Sequence, residues 1–219
     1  MNPTLIVLLI VGFFAFLWLI LRLGARHSEK VYQRTAAFAD RLGLVLERVE
    51  PRYGFWPQPT AVGTLNGRSA RLHTYVTGSG KSRATWTALE VNPRGTGGLT
   101  FKFSRQGFES KIAEIFGVRE ITVGDANFDQ AWFIRTNQPE FLRAALIPEV
   151  RAALDGALAG AGLGCRGANF QLEQNAIVYS EIGDFSDERR SRRFEQIPAA
   201  LAALADVAEV HARQAGGGV

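Results

Sequence analysis

The chain has 219 residues, 47% of them apolar and 21% charged, a balance that can bury a core and excludes global disorder. With 25 basic against 21 acidic residues the net charge is +4, too weak a bias to mark a nucleic-acid binder even at a pI of about 9.6. A single cysteine, Cys165, excludes an internal disulfide and with it a disulfide-stapled secreted scaffold.

From Leu5 to Leu21 no residue is charged or strongly polar. With Pro3, Thr4 and the stretch to Leu23 the run reaches the ~20 residues that cross ~30 Å of hydrocarbon. Lipid leaves backbone groups no partner but each other, so the run is expected to be helical. Trp18 falls near its inner end, where interfacial aromatics sit. A cleaved signal peptide requires a basic lead-in, a shorter apolar core and a small-residue cleavage site; no Lys or Arg precedes this run, so an uncleaved single-pass anchor is expected. Arg22, Arg26, Lys30 and Arg34 follow the span closely. The side richer in Lys and Arg stays in the cytoplasm, which places the N-terminus outside the cell (inner) membrane and the rest of the chain inside.

Ser28 to Leu42 reads as a helix carrying Val31, Phe38 and Leu42 on one face, closed by Gly43. Leu44–Val49 reads as a strand, and Pro51 to Pro59 as an irregular loop. After it the period becomes two. Ala61–Leu65 and Arg68–Val76 flank Asn66-Gly67, a strong hairpin signal. Strands are expected again at Arg83–Val91 and Leu99–Arg105, followed by a short helix at Glu109–Phe116. Further strands are expected at Glu120–Val123, Trp132–Thr136, Ala168–Glu173 and Ala176–Ile182. Pro148 opens a helix to about Ala159 with Val150, Leu154 and Leu158 in one stripe, and Pro198 opens a last helix with Leu201, Leu204, Val207 and Val210. The fold class that follows is α+β: an N-terminal transmembrane helix, then a mainly antiparallel β-sheet domain with packed helices and a C-terminal helix. Residues 1–27 form the anchor and its basic flank, 28–213 one cytoplasmic domain, and 214–219 a flexible Gly-rich tail.

Gly124-Asp125-x-x-Phe128-Asp129, with Phe133 and Ile134 in the strand beyond, Pro139-Glu140, and then Leu146-x-Pro148-Glu149, form one further pattern. It resembles a group of bacterial single-pass membrane-anchored proteins of unknown function, which carry a Phe-Asp followed by a strand, a short acidic helix start and a Leu-x-Pro helix opening behind a hydrophobic N-terminal segment. The resemblance covers about 35 residues and implies a prokaryotic, membrane-tethered domain; no catalytic residue carries over. By their own chemistry Phe128 and Phe133 read as core, and Asp125 and Asp129 as turn or capping residues, with a carboxylate site as the alternative.

Chemical motifs are sparse. Gly78-Ser79-Gly80-Lys81-Ser82 resembles the end of a phosphate-binding loop, but Tyr75 stands where the first glycine belongs and β-formers follow, so a hairpin loop is expected. His27, His73 and His211 lie far apart and Cys165 has no Cys or His neighbour, so neither a metal site nor a nucleophilic site is indicated. Glu90 and Glu181 are further acids that no spacing pairs. Arg189, Arg190, Arg192 and Arg193 are matched by Asp184, Asp187, Glu188 and Glu195, which favours a solvated, salt-bridged segment over a lipid-binding patch.

The expected function is a membrane-tethered non-catalytic domain for protein–protein interaction or self-association at the cytoplasmic membrane face, without a cofactor or nucleic acid. The alternatives are a small-ligand or lipid-headgroup binding domain, or an enzyme whose site converges only in the fold. The sharpest candidate surface is the proline-bounded loop holding Tyr53, Phe55 and Trp56. A stiff loop presents large rings at small entropic cost; the competing expectation is that the rings fold back and cap the open end of the sheet.

Overall fold

A computed structural model describes residues 3–105, 119–159 and 167–217; the helix expected at Glu109–Phe116 and Cys165 lie outside these. The first helix, α1, runs without interruption from Pro3 to Arg41, about 58 Å at 1.5 Å per residue. The apolar run and the amphipathic stretch from Ser28 are thus one helix, because Gly24 is the only weak helix former between them and a lone glycine costs a helix about 1 kcal/mol without breaking it. Gly43 adopts φ +68°, and the Leu44 N–H donates to the Ala39 carbonyl at 2.9 Å, the glycine stop that the sequence signals.

Nine strands follow among the described residues: β1 (Val45–Leu46), β2 (Thr60–Leu65), β3 (Arg68–Thr77), β4 (Ala84–Val91), β5 (Phe101–Arg105), β6 (Arg119–Ile121), β7 (Trp132–Thr136), β8 (Asn169–Glu173) and β9 (Ala176–Ile182). They form one antiparallel sheet in the order β1-β2-β3-β4-β9-β8-β5-β7-β6. Asn66 and Gly67 take φ +51° and +73°, the paired positive values of a type I′ hairpin. The strand expected from Leu44 to Val49 is shorter than its signal: past Leu46, Glu47 N–H still donates to the Thr60 carbonyl at 2.8 Å, and the chain then leaves for the proline-bounded loop.

The other helices are α2 (Ala126–Ala131), α3 (Pro139–Ala145), α4 (Pro148–Ala157), α5 (Glu188–Phe194) and α6 (Ile197–Gly216). Val150, Leu154 and Leu158 are buried, as are Leu201, Leu204 and Val207, but Val210 is 37% exposed and His211 takes the inward position. His211 Nδ1 lies 2.9 Å from the Thr96 carbonyl oxygen, which can only accept, so the ring donates there. The helix also continues through Gly216, into the expected tail. Gly97 explains this: at φ +57° its missing side chain lets Ala212 and Ala215 close on the loop before β5.

A file of aromatic rings crosses the core from α1. Centroids are 5.2 Å apart for Phe38–Phe185, 5.1 Å for Phe185–Phe194, 5.1 Å for Phe194–Tyr179, 4.9 Å for Tyr179–Phe170 and 6.1 Å for Phe170–Trp132. Phe128 joins it at 6.1 Å from Trp132. Phe133 does not belong to this core: Trp132 is the inward residue of β7, and Phe133 lies half-buried on the opposite face with the Arg135 guanidinium 4.7 Å over its ring.

Candidate functional site

Two places concentrate exposed or unusual chemistry. The first is the join between the apolar half of α1 and the domain. Ile6 to Leu23 is open to the surroundings, with none of its most apolar window buried and a mean hydropathy of 2.7. Trp18 and Arg22 sit near the end of this stretch closest to the domain, the guanidinium 4.8 Å over the indole, a pairing suited to a membrane interface. From Gly24 onward the same helix is grasped by two loops.

One is the proline-bounded loop. Arg52 and Phe55 exchange N–H···O bonds at 2.9 Å each, and Tyr53 and Gly54 between them take φ +51° and +78°, another type I′ turn. Phe55 lies against Gly24 so closely that a Cβ there would stand 2.9 Å from its ring. Trp56 N–H donates to Ser28 Oγ at 3.2 Å, and its indole stacks on Tyr32 with centroids 4.1 Å apart. Phe55 and Trp56 are therefore half-buried against α1, not over the open end of the sheet, whereas Tyr53 is fully exposed. On the other side, the segment after β9 holds His27 Nε2 within 3.2 Å of Asp184 Oδ2, and Arg34 Nη1 donates to the Ser186 carbonyl at 2.5 Å. Burial works to raise the Asp184 carboxyl, but the Ser186 hydroxyl and N–H together with His27 hold it below the ordinary value.

The second place is the open face of the sheet. Helix residues and the inward residues of the strands share one core; the opposite face carries Arg71, His73, Glu90, Lys102, Gln171 and Val178, exposed or half-buried. A depression of about 370 Å³ lies there, lined by Tyr75, Glu90, Asn169, Gln171, Glu173 and Ser180 among others. The His73 imidazole beside it is pushed below its ordinary pKa, first by burial and then by the Arg71 charge, so it is neutral near pH 7; its Nδ1 has no hydrogen-bond partner.

The remaining candidates serve the fold. Asp125 caps α2, accepting from Asn127 and Phe128 N–H at 3.2 Å, and Asp129 accepts from Val123 and Gly124 N–H at 2.8 and 3.0 Å. Lys81 lies in a single 3₁₀ turn between β3 and β4, and a strand follows it. The Arg run is only partly solvated. Arg192 pairs with Glu188 at 2.6 Å in the open, but Arg190 and Arg193 reach inward to Glu181, which is fully buried, at 2.5 and 2.8 Å. Tyr179 Oη donates to the same carboxylate at 2.7 Å. Sequence spacing could not select Glu181, since its two arginine partners come from another element, α5. Among the described residues no group of three or more His, Cys, Asp or Glu is placed to hold a metal ion.

No known protein-family model matches the chain, and no curated protein matches it. Among solved structures it is similar to the crystal structure of the mycobacterial trehalose monomycolate transport factor A, TtfA, at 11% identity and a TM-score of 0.49, covering 79% of this chain and 95% of that one.

Proposed function

We propose that the chain is a single-pass, membrane-tethered, non-catalytic domain that engages a protein partner, or a second copy of itself, at the cytoplasmic membrane face. The observation that carries the tether is the division of α1: its first half is apolar and exposed, while Val31, Thr35, Phe38 and Ala39 of its second half lie in the domain core. Exposed apolar length of this kind is stable only in lipid. Arg22, Arg26 and Lys30 stand exposed just past the span, which supports a cytoplasmic domain. Glu181, Asp125, Asp129 and Asp184 are each engaged in holding local structure, which supports binding over chemistry, and the open face offers the surface. Paired C-terminal fusions test the orientation: fluorescent green fluorescent protein and inactive alkaline phosphatase are expected, and an active phosphatase overturns it. Photo-crosslinkers at Lys102 and Gln171 in the membrane-embedded chain test the partner, with a discrete adduct expected. Their failure would leave the second reading, a small polar ligand or lipid headgroup in the amide-lined depression near Gln171.

A further inference from the structure

We infer that the Arg52–Phe55 turn is a membrane-interface contact: Tyr53 enters the headgroup layer of the bilayer that α1 crosses and sets how deeply and at what rotation the domain sits on it. This rests on the reading of α1 as a membrane span. The twenty residues from Thr4 to Leu23 rise about 30 Å along the helix, the thickness of the hydrocarbon core. Gly24 is the next residue, and Phe55 is seated on it; Gly54 faces Ala25, whose Cβ lies 3.9 Å from where a Gly54 Cβ would be. The turn is thereby fixed at the level where hydrocarbon gives way to headgroups.

Its chemistry suits that level. Tyr53 is fully exposed, and Tyr is enriched at this interface because its ring is apolar and its hydroxyl is polar. Arg22 and Arg26 of α1, each within about 3 Å of Gly24 along the helix axis, and Arg52 of the turn are exposed and suited to meet lipid phosphate. Tyr53 also holds φ +51°, an unfavourable region for a bulky residue, in the two-residue turn closed by Arg52 and Phe55. No flexible linker separates span from domain: Phe55 on Gly24, Trp56 on Ser28 and Tyr32, and Asp184 on His27 clamp α1 from its first residue past the span.

Site-directed spin labelling of the full chain in phosphatidylcholine–phosphatidylglycerol vesicles tests this. In a Cys165→Ser background, labels are placed singly at Phe14→Cys (mid-span), Tyr53→Cys and Val45→Cys, and collision rates with oxygen and with a water-soluble nickel chelate are measured. Val45 is 72% exposed and follows the end of α1 at Arg41, which lies about 26 Å further along the helix than Gly24. The label at 14 is expected to see oxygen and no nickel, and the label at 45 to see nickel freely. At 53 the nickel collision rate is expected to fall several-fold below that at 45. Adding Gly24→Leu, which displaces the Phe55 ring, should restore nickel access at 53 and leave 14 and 45 unchanged. A label at 53 as nickel-accessible as that at 45, with 14 buried in lipid, overturns this inference alone; a water-exposed label at 14 overturns the anchoring reading as well.

Discussion

Glu181 is a carboxylate with no exposure, held by two guanidiniums and a phenol. Removing one partner from such a cluster leaves the others buried and unpaired, at a cost of about 3–5 kcal/mol. Glu181→Ala is therefore expected to lower the thermal midpoint sharply, while the solvent-side pair loss in Glu188→Ala should leave it nearly unchanged; scanning calorimetry on both variants checks the contrast. The net neutrality of this Arg-rich segment was legible in composition, but the inward aim of Arg190 and Arg193 was not, since it follows from Asp187 starting α5 and placing positions 190, 193 and 194 on one side. A second ion pair makes a pH prediction. Arg68 is nearly buried and donates to Glu209 at 2.7 Å and to Asp206 at 2.5 Å, tying the β2–β3 hairpin to α6. The hydrogen bond from Arg68 outweighs burial and lowers the Glu209 carboxyl from its ordinary 4.5 to about 2. A depressed folded-state value gives stability that is complete above pH 4.5 and is lost as the pH falls toward 2. The thermal midpoint should drop across that window, and Glu209→Gln should start lower at neutral pH and lose less on acidification; circular dichroism melts at stepped pH values distinguish the two.

Elements with a local stop or turn signal were readable from the chain. Asn66-Gly67 fixed the β2–β3 hairpin, Pro148 opened α4, Gly43 ended α1, and the alternation of Phe101 and Phe103 set the face of β5. Helices α2, α3 and α5 have only six or seven residues, too few for a 3.6-residue period to show; the acidic start of α3 appeared only through a resemblance. Short helices depend on their ends, because the first N–H groups have no partner within the helix. Asp125 supplies α2 with two acceptor contacts and lies 3.4 Å from Arg151 of α4. Asp125→Ala should lower the urea midpoint by the equivalent of about 1 kcal/mol, with an unchanged m-value because the folded core is intact. The proline-bounded loop shows the limit of such signals. Its aromatics were visible, but whether Phe55 and Trp56 covered the sheet or the helix depended on Gly24, thirty-one residues earlier in the chain, being too small to block the ring.

At the scale of the molecule, α1 is an exposed apolar helix in its first half and a core element in its second. Phe38 begins the aromatic file that ends at Phe128, and Val31, Thr35 and Ala39 bury beside it. The long apolar run and the helical stripe beyond it were both evident in the sequence; their union into one rod was not, because periodicity marks faces and says little about whether two adjacent segments share an axis. The union has a consequence for truncation. A chain beginning at Ala25 loses the exposed apolar half and keeps the His27–Asp184 and Tyr32–Trp56 contacts, so it should be soluble and melt in one cooperative transition. A chain beginning at Leu44 removes the rest of α1 and uncovers Phe185 and Phe194. Loss of a buried Phe alone costs about 3–5 kcal/mol, against a total stability of about 5–15 kcal/mol, and three other buried residues go with it. That fragment should aggregate or show no cooperative transition. A sharp melt of the chain from Leu44, matching that of the chain from Ala25, would mean that the helix is only attached to a domain complete without it.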